Sequence, residues 1–332
     1  MLNVQAQKFI FQSYNGFMSI RGLIIRFFQL STIIILFAGG LLSFATALMG
    51  GVISYRSWQR RELKRVQKKG IVVETAVGLV EYQVIGQGSA VLYAHGTPGG
   101  FDQGLAFARM LGGEQCMLIS PSRPGYLRTP LAAGASPAAQ ADLYAALLDA
   151  LNIEQASIIG FSGGGPSALQ FALRHPDRCR SLAMIGGIVQ RNCCYERHQA
   201  LPLWKRVPTQ IVEQLLVSDP FLYAVLPFAS FLPRGAAVAG MLCSGALYHL
   251  RKTGHENDLA QFAAIETYPL EQVIAPTLVV HGLSDEDVPF EDACLLEREI
   301  PNVRLIAVEG DHSAFYTHAE MVMPLLSKFL VS

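Results

Sequence analysis

The chain has 332 residues, of which 51% are hydrophobic and 16% charged. This excludes a disordered chain and suggests two domains or one large one. Lys plus Arg and Asp plus Glu number 26 each, so there is no net basic excess of the kind nucleic-acid binding requires. The zero hides a division: residues 1–70 carry ten basic side chains against Glu62, a net +9, and the rest of the chain balances it with −9.

After a tail of residues 1–26, Phe27 to Tyr55 is 29 residues without Asp, Glu, Lys, Arg or His. About 20 apolar residues cross a bilayer core, so this run predicts a single transmembrane helix or signal anchor in contact with membrane lipid. A basic linker, residues 56–70, follows with Arg56, Arg60, Arg61, Lys64, Arg65, Lys68 and Lys69. Lys/Arg excess marks the cytoplasmic flank, which places the body in the cytoplasm, where the same residues can also meet anionic headgroups. The alternative is an exported protein: a signal peptide beginning at Met18 and cleaved after Ala45-Thr46-Ala47.

From residue 71 onward, short β-rich runs alternate with helical ones, the pattern of an α/β sheet. Ile71–Thr75 and Leu79–Ile85 read as an opening hairpin around Gly78. Buried strands are predicted at 90–94, 116–120, 157–159, 181–185, 277–280 and 303–308. Helices are predicted at 137–151, capped by Ser136 with Pro137 first, at 167–174 and at 314–330. About 187–272 is too long for a simple connection and reads as an inserted cap. Its apolar stretches, 221–232 and 236–250, are broken by Pro227, Pro233 and Arg234, which favours lid helices over a second membrane span. The six cysteines show no C-x-x-C pair and no Cys/His ligand spacing, so buried thiols are expected rather than a metal site. The adjacent Cys193 and Cys194 are candidates for lipidation if they lie near a membrane.

The sharpest motif is Gly160-Phe161-Ser162-Gly163-Gly164, a G-x-S-x-G between an apolar strand and a helix. That context suits a nucleophile elbow, in which small neighbours let the chain bend and the following helix aims N–H groups at the site. A serine hydroxyl needs a base, and the base needs an orienting acid. Two downstream loops offer them: Asp285, Glu286 and Asp287 after one strand, and Asp311-His312 after the last. No G-x-G-x-x-G fingerprint is present, and no cofactor is expected.

With His95-Gly96-Thr97-Pro98-Gly99-Gly100, these motifs make residues 71–331 resemble the α/β-hydrolase superfamily, in its esterase, proline-iminopeptidase and meta-cleavage-product hydrolase branch. The resemblance implies a mostly parallel eight-stranded sheet with a helical cap, here preceded by the N-terminal helix. It implies Ser162 as nucleophile, His312 as general base and Asp285 as acid, the last because Gly282, Asp285, Val288 and Pro289 match the family's G-x-x-D-x-x-V-P. The oxyanion hole would be the N–H groups of Gly163 and Thr97. Glu286, Asp287 and Asp311 read as loop charges, and His281 and His95 as structural imidazoles. Ser122-Arg123-Pro124-Gly125-Tyr126 matches a family turn in which Arg123 braces loops, although Leu127 replaces the usual small residue.

The expected substrate is a small molecule with an apolar acyl group, a lipid-like ester in particular. The Leu-, Phe- and Tyr-rich lid supports this but would equally pack onto the body. No Trp stands beside Ser162, whereas iminopeptidases carry G-x-S-W-G, so Phe161-Ser162-Gly163 weakens an aminopeptidase reading. A cofactor-free perhydrolase with the same triad and a non-catalytic binding scaffold complete the alternatives. The scaffold is disfavoured because all three triad positions are filled.

Overall fold

The computed structural model describes residues 20–111, 116–191 and 217–332 except 230 and 232–234, together with scattered positions between 202 and 215. The internal Met18 and the Cys193-Cys194 pair lie outside the described residues. The chain divides into two units, residues 1–58 and 59–332, within helix α1 (Ile20–Lys69).

In the first unit the apolar side chains of the uncharged run are largely exposed, Phe37 and Leu42 at 70% each, whereas Trp58 at the end of the unit is buried. The hydroxyls of Ser31, Thr32 and Thr46 donate to the carbonyls of Phe27, Phe28 and Leu42, each at 2.8 Å. These back-bonds satisfy the three hydroxyl protons within the helix itself. It is one helix long and apolar enough to cross a membrane, and a signal sequence passes the same test.

The second unit is built on an eight-stranded sheet in the order β1-β2-β4-β3-β5-β6-β7-β8. The strands are β1 Ile71–Glu74, β2 Leu79–Ile85, β3 Ser89–Ala94, β4 Cys116–Pro121, β5 Ala156–Phe161, β6 Cys179–Ile185, β7 Thr277–Gly282 and β8 Val303–Val308. Strands β1 and β2 pair antiparallel, as does β2 with β4; the other six strands are parallel. Every residue of β5 and β7 is buried, because helices cover both faces. One face packs against α3 (Pro137–Ala150), α4 (Gly165–Arg174) and α8 (Phe290–Glu299). The other packs against α2 (Phe101–Leu111) and the C-terminal helices α9 (Ala314–Thr317) and α10 (Ala319–Val331). Each fully buried Leu, Ile or Phe in these layers contributes roughly 1.5–3 kcal/mol. Ser136 caps α3, accepting from Ala139 N–H at 3.2 Å.

Three local features differ from the sequence pattern. The last helix is two helices: His318 leaves helical geometry at φ −104°, and the first turn is pinned by Phe315 against the Phe161 ring, 4.9 Å away. In the cap, Pro227 lies inside α5 (Asp219–Ala229), which continues past it to Ala229. The next helix, α6 (Gly235–Cys243), stops early; the chain turns at Leu247, φ 58°, and continues into α7 (Lys252–Ala263).

The basic stretch is not a free linker. Val66 is buried with Phe101 and Leu247, and Arg65 pairs with Glu62 at 2.6 Å and Asp102 at 3.0 Å.

Candidate active site

Parallel strands end along one edge of the sheet, so their following loops converge there. The loop after β5 holds Ser162, that after β7 holds Asp285, that after β8 holds His312, and that after β3 holds Thr97. Ser162 adopts φ 50°, a left-handed conformation that costs a non-glycine residue of order 1–3 kcal/mol. The tight turn brings α4 against its own strand: a side-chain carbon at Gly160 would lie 2.7 Å from Ala168 Cβ.

The structure brings the three side chains into one line. Ser162 Oγ donates to His312 Nε2 at 2.9 Å, and His312 Nδ1–H donates to Asp285 Oδ2 at 2.7 Å. Asp285 Oδ1 accepts from the N–H groups of Val288 at 2.9 Å and Asp287 at 3.0 Å. The carboxylate is thus oriented from both sides, and the imidazole is held with its unprotonated nitrogen toward the serine. The Phe161 ring stacks on the imidazole at 5.9 Å and 24°. Gly163 begins the turn after the serine, where first-turn amides have no helical acceptor. The Thr97 N–H donates to no protein group among the described residues. A side-chain carbon at Gly163 would overlap the Thr97 hydroxyl, so the two amide-bearing residues are neighbours.

Burial lowers the affinity of His312 for a proton, but the hydrogen bond and charge of Asp285, aided by Asp287 and Asp311, more than offset it. The net effect raises His312 above the ordinary imidazole value. For Asp285, burial opposes the charge, and the His312 hydrogen bond and backbone donors overcome it, leaving the carboxyl below its usual range. His95 behaves oppositely: burial and the nearby Arg123 cation hold it well below the ordinary value. Its Nδ1–H donates to Gly96 O at 2.8 Å and its Nε2 accepts from Arg123 N–H at 2.9 Å, so it braces two loops as a neutral ring. His281 donates to Val288 O at 2.9 Å and supports the Asp285 loop. Asp311 accepts from the Ser313 N–H at 2.8 Å and hydroxyl at 2.6 Å, and shapes the turn beside His312. Leu127 takes φ 52°, a conformation its glycine-like position demands, and is held there by its N–H donating to Leu250 O at 2.8 Å.

Two cavities flank His312. One, about 300 Å³, reaches Ser162 and is lined by Thr97, Gly163, Ile188, His255, Leu259, Phe262, Asp287 and Val288. The other, about 570 Å³, lies over Phe161 and Tyr316 and is rimmed by Glu286, Asp287 and Asp311. Among the described residues, no Lys or Arg lines either cavity. Asp285, Asp287 and His312 offer three ligand-type atoms within 4.8 Å of one another. A cation there would have to displace the proton that Asp285 and His312 share.

Sequence reading missed the contribution of α7, which supplies His255, Leu259 and Phe262 to the inner cavity and Asp258 beneath it. The signal was present as an i, i+3/i+4, i+7 spacing, but a polar stretch containing Gly254 and a buried acid does not read as a helix over a site.

A family model for the alpha/beta hydrolase fold matches residues 89–240. The chain is 28% identical over 234 residues to the hydrolase YcgS of Bacillus subtilis, covering 65% of this chain and 81% of that protein. It is 29% identical to a poly(3-hydroxyalkanoate) depolymerase of Ectopseudomonas oleovorans, over 57% of this chain and 66% of that one. Among solved structures, an alpha/beta hydrolase fold protein from Nakamurella multipartita superposes with a TM-score of 0.65 and 33% identity, covering 79% of this chain and 99% of that one. On sheet order, elbow and these likenesses together, the chain belongs to the α/β-hydrolase fold family and is a hydrolase.

Proposed function

We propose that this protein is a membrane-anchored serine hydrolase that cleaves neutral esters with an apolar acyl group. The observation that carries the reading is the hydrogen-bonded line from Ser162 through His312 to Asp285, with the serine held at φ 50°. In the first half-reaction Ser162 Oγ attacks the ester carbonyl carbon while its proton passes to His312 Nε2. Asp285 stabilises the resulting imidazolium and keeps its tautomer. The carbonyl oxygen becomes an oxyanion facing the N–H groups of Thr97 and Gly163. Collapse breaks the bond to the alkoxy group, which takes the proton from His312 and leaves as an alcohol. Water then enters, gives its proton to His312, and attacks the acyl-serine; collapse releases the acid and returns the proton to Ser162.

The preference for a neutral substrate follows from charge. Glu286, Asp287 and Asp311 surround His312, and neither cavity presents a Lys or Arg among the described residues. Among the described residues, an acyl chain bearing its own carboxylate would meet only like charge there. Ile188, Leu259, Phe262 and Val288 suit an apolar acyl chain instead.

The 29-residue uncharged run supports anchoring, and the basic residues that follow it support a cytoplasmic body. Cleavage and export is the competing reading of the same segment.

Ser162→Ala should abolish both ester hydrolysis and labelling by a fluorophosphonate probe while leaving the melting temperature unchanged within a few degrees. Labelling at the parent rate would overturn the assignment of the nucleophile. For topology, a C-terminal reporter active only in the cytoplasm should function; a functional reporter of the export type, or a mature N-terminus near Leu48, would instead establish export.

A further inference from the structure

Asp258, on cap helix α7, is 1% exposed and receives four hydrogen bonds. Its Oδ2 accepts from Thr97 Oγ1 at 2.5 Å, Tyr126 OH at 2.5 Å and Arg123 Nη2 at 2.6 Å, and its Oδ1 accepts from Arg123 Nη1 at 2.8 Å. Three of the four bonds converge on Oδ2, the oxygen that faces Thr97, so the carboxylate is anchored chiefly on that side. Arg123 Nη2 also donates to Thr97 Oγ1 at 2.9 Å. The Thr97 hydroxyl therefore gives its proton to Asp258 and accepts one from Arg123, which leaves the backbone N–H as the donor this residue can offer a substrate. The loop is gripped elsewhere as well: Gly96 N–H donates to Gln103 Oε1 at 2.6 Å.

We propose that Asp258 is a positioning residue for the oxyanion hole: through the Thr97 hydroxyl it holds the Thr97 N–H where the tetrahedral oxygen forms. The proposal rests on the reading of Ser162 as nucleophile. An Arg123–Asp258 pair whose only task was mutual neutralisation would not require the Thr97 hydroxyl between them. Donors to a developing charge must be held within about 0.5 Å of the productive position, and a loop amide does not achieve that unaided. The same helix places Phe262 beside the second amide, since a side-chain carbon at Gly163 would lie 2.9 Å from Phe262 Cζ. The cap element that meets the acyl chain is thus the one that sets the oxyanion hole.

The test uses the full chain in detergent with p-nitrophenyl butyrate. Thr97→Val removes the hydroxyl but keeps the N–H and the Arg123–Asp258 pair. It should lower kcat about 10- to 100-fold, less than the 10²–10³ of deleting a donor outright, with KM within about threefold. The inhibition constant of butylboronic acid, which forms a tetrahedral adduct on the serine, should rise by the same factor as kcat falls. Thr97→Ser should recover most of the loss, and Asp258→Asn should reproduce it with an added drop in melting temperature. A folded Thr97→Val protein with kcat within twofold of the parent would overturn the proposal, as would a fall in kcat that the boronate does not follow. The two readings separate cleanly: turnover surviving Ser162→Ala removes the nucleophile assignment, whereas a dead Ser162→Ala with an unimpaired Thr97→Val removes only the positioning role.

Discussion

Asp285 and Asp258 are both buried beside the same edge of the sheet, and they differ in what faces them. Asp285 accepts hydrogen bonds from two backbone amides and from the His312 imidazole, whose second nitrogen is directed at a hydroxyl near solvent. Asp258 meets a guanidinium twice and two hydroxyls, all sealed beneath the cap. A histidine partner can gain and lose a proton near neutrality, so the first pair can pass protons on. Burial opposes the Arg123 charge, but Asp258 pushes it still further above its ordinary value, so the guanidinium stays charged. The second pair can only hold things in place. One carboxylate beside an exchangeable cation makes chemistry; the same group beside a permanent cation makes a fixed joint.

The change that breaks the first pair most completely is Asp285→Asn. It should lower kcat by about 10⁴-fold, because an amide neither fixes the productive His312 tautomer nor stabilises its cation. Steady-state kinetics on p-nitrophenyl butyrate reads this directly. Asp287→Asn, on the exposed side of the same loop, should change kcat only a few-fold; the reverse order would show that the loop register is misassigned.

Breaking the second pair should cost stability in addition to the loss of kcat expected above. Asp258→Leu leaves Arg123 charged and without its counter-charge in a site where its side chain is 1% exposed, a change that typically costs about 3–5 kcal/mol. Denaturant unfolding of the 59–332 unit within the full chain measures it.

A third test sharpens the contrast through pH. In the proposed mechanism activity requires neutral His312, and its raised affinity for a proton places the acid limb of kcat/KM above the ordinary imidazole value of about 6.5. Removing a neighbouring negative charge with Asp287→Asn or Asp311→Asn should move that limb to lower pH. Stability runs the other way. The His312–Asp285 ion pair contributes fully below the unfolded imidazole value and is lost as pH rises through the folded one. The enzyme therefore works where this pair stabilises it least.

The smallest effect is expected at a third carboxylate. Asp142 receives Arg174 at 2.8 Å and His175 at 2.8 Å, but its side chain is 36% exposed. Solvent screening limits such pairs to about 0–1 kcal/mol, so Asp142→Asn should shift the melting temperature by no more than a few degrees and leave kinetics unchanged. The chemistry of the partner and its exclusion from water, rather than the ion pair as such, separate the three cases.

Much of this molecule is readable along the chain because short-range physics encodes it. Buried parallel strands must be continuous apolar runs, so β3 to β8 stand out in residue order. A serine in a sharp turn must have small neighbours, so Gly160, Ser162 and Gly164 announce the elbow. A bilayer span must lack charge, so 27–55 is conspicuous whichever membrane fate it has. Within the loops after β7 and β8, Asp285 and His312 could be named from family spacing, but their hydrogen bond exists only because β7 and β8 are neighbours in the sheet. Helix α2 has no clear local signal, since 101–111 carries Gly104 in its first turn and looks like part of the glycine-rich loop before it. Arg123 and Asp258, 135 positions apart, have no local pattern at all. A buried acid in a polar helix looks like a solvated face until the fold supplies its partners. Long-range burial is a property of the assembled layers, and only the folded chain decides which charges lose their water.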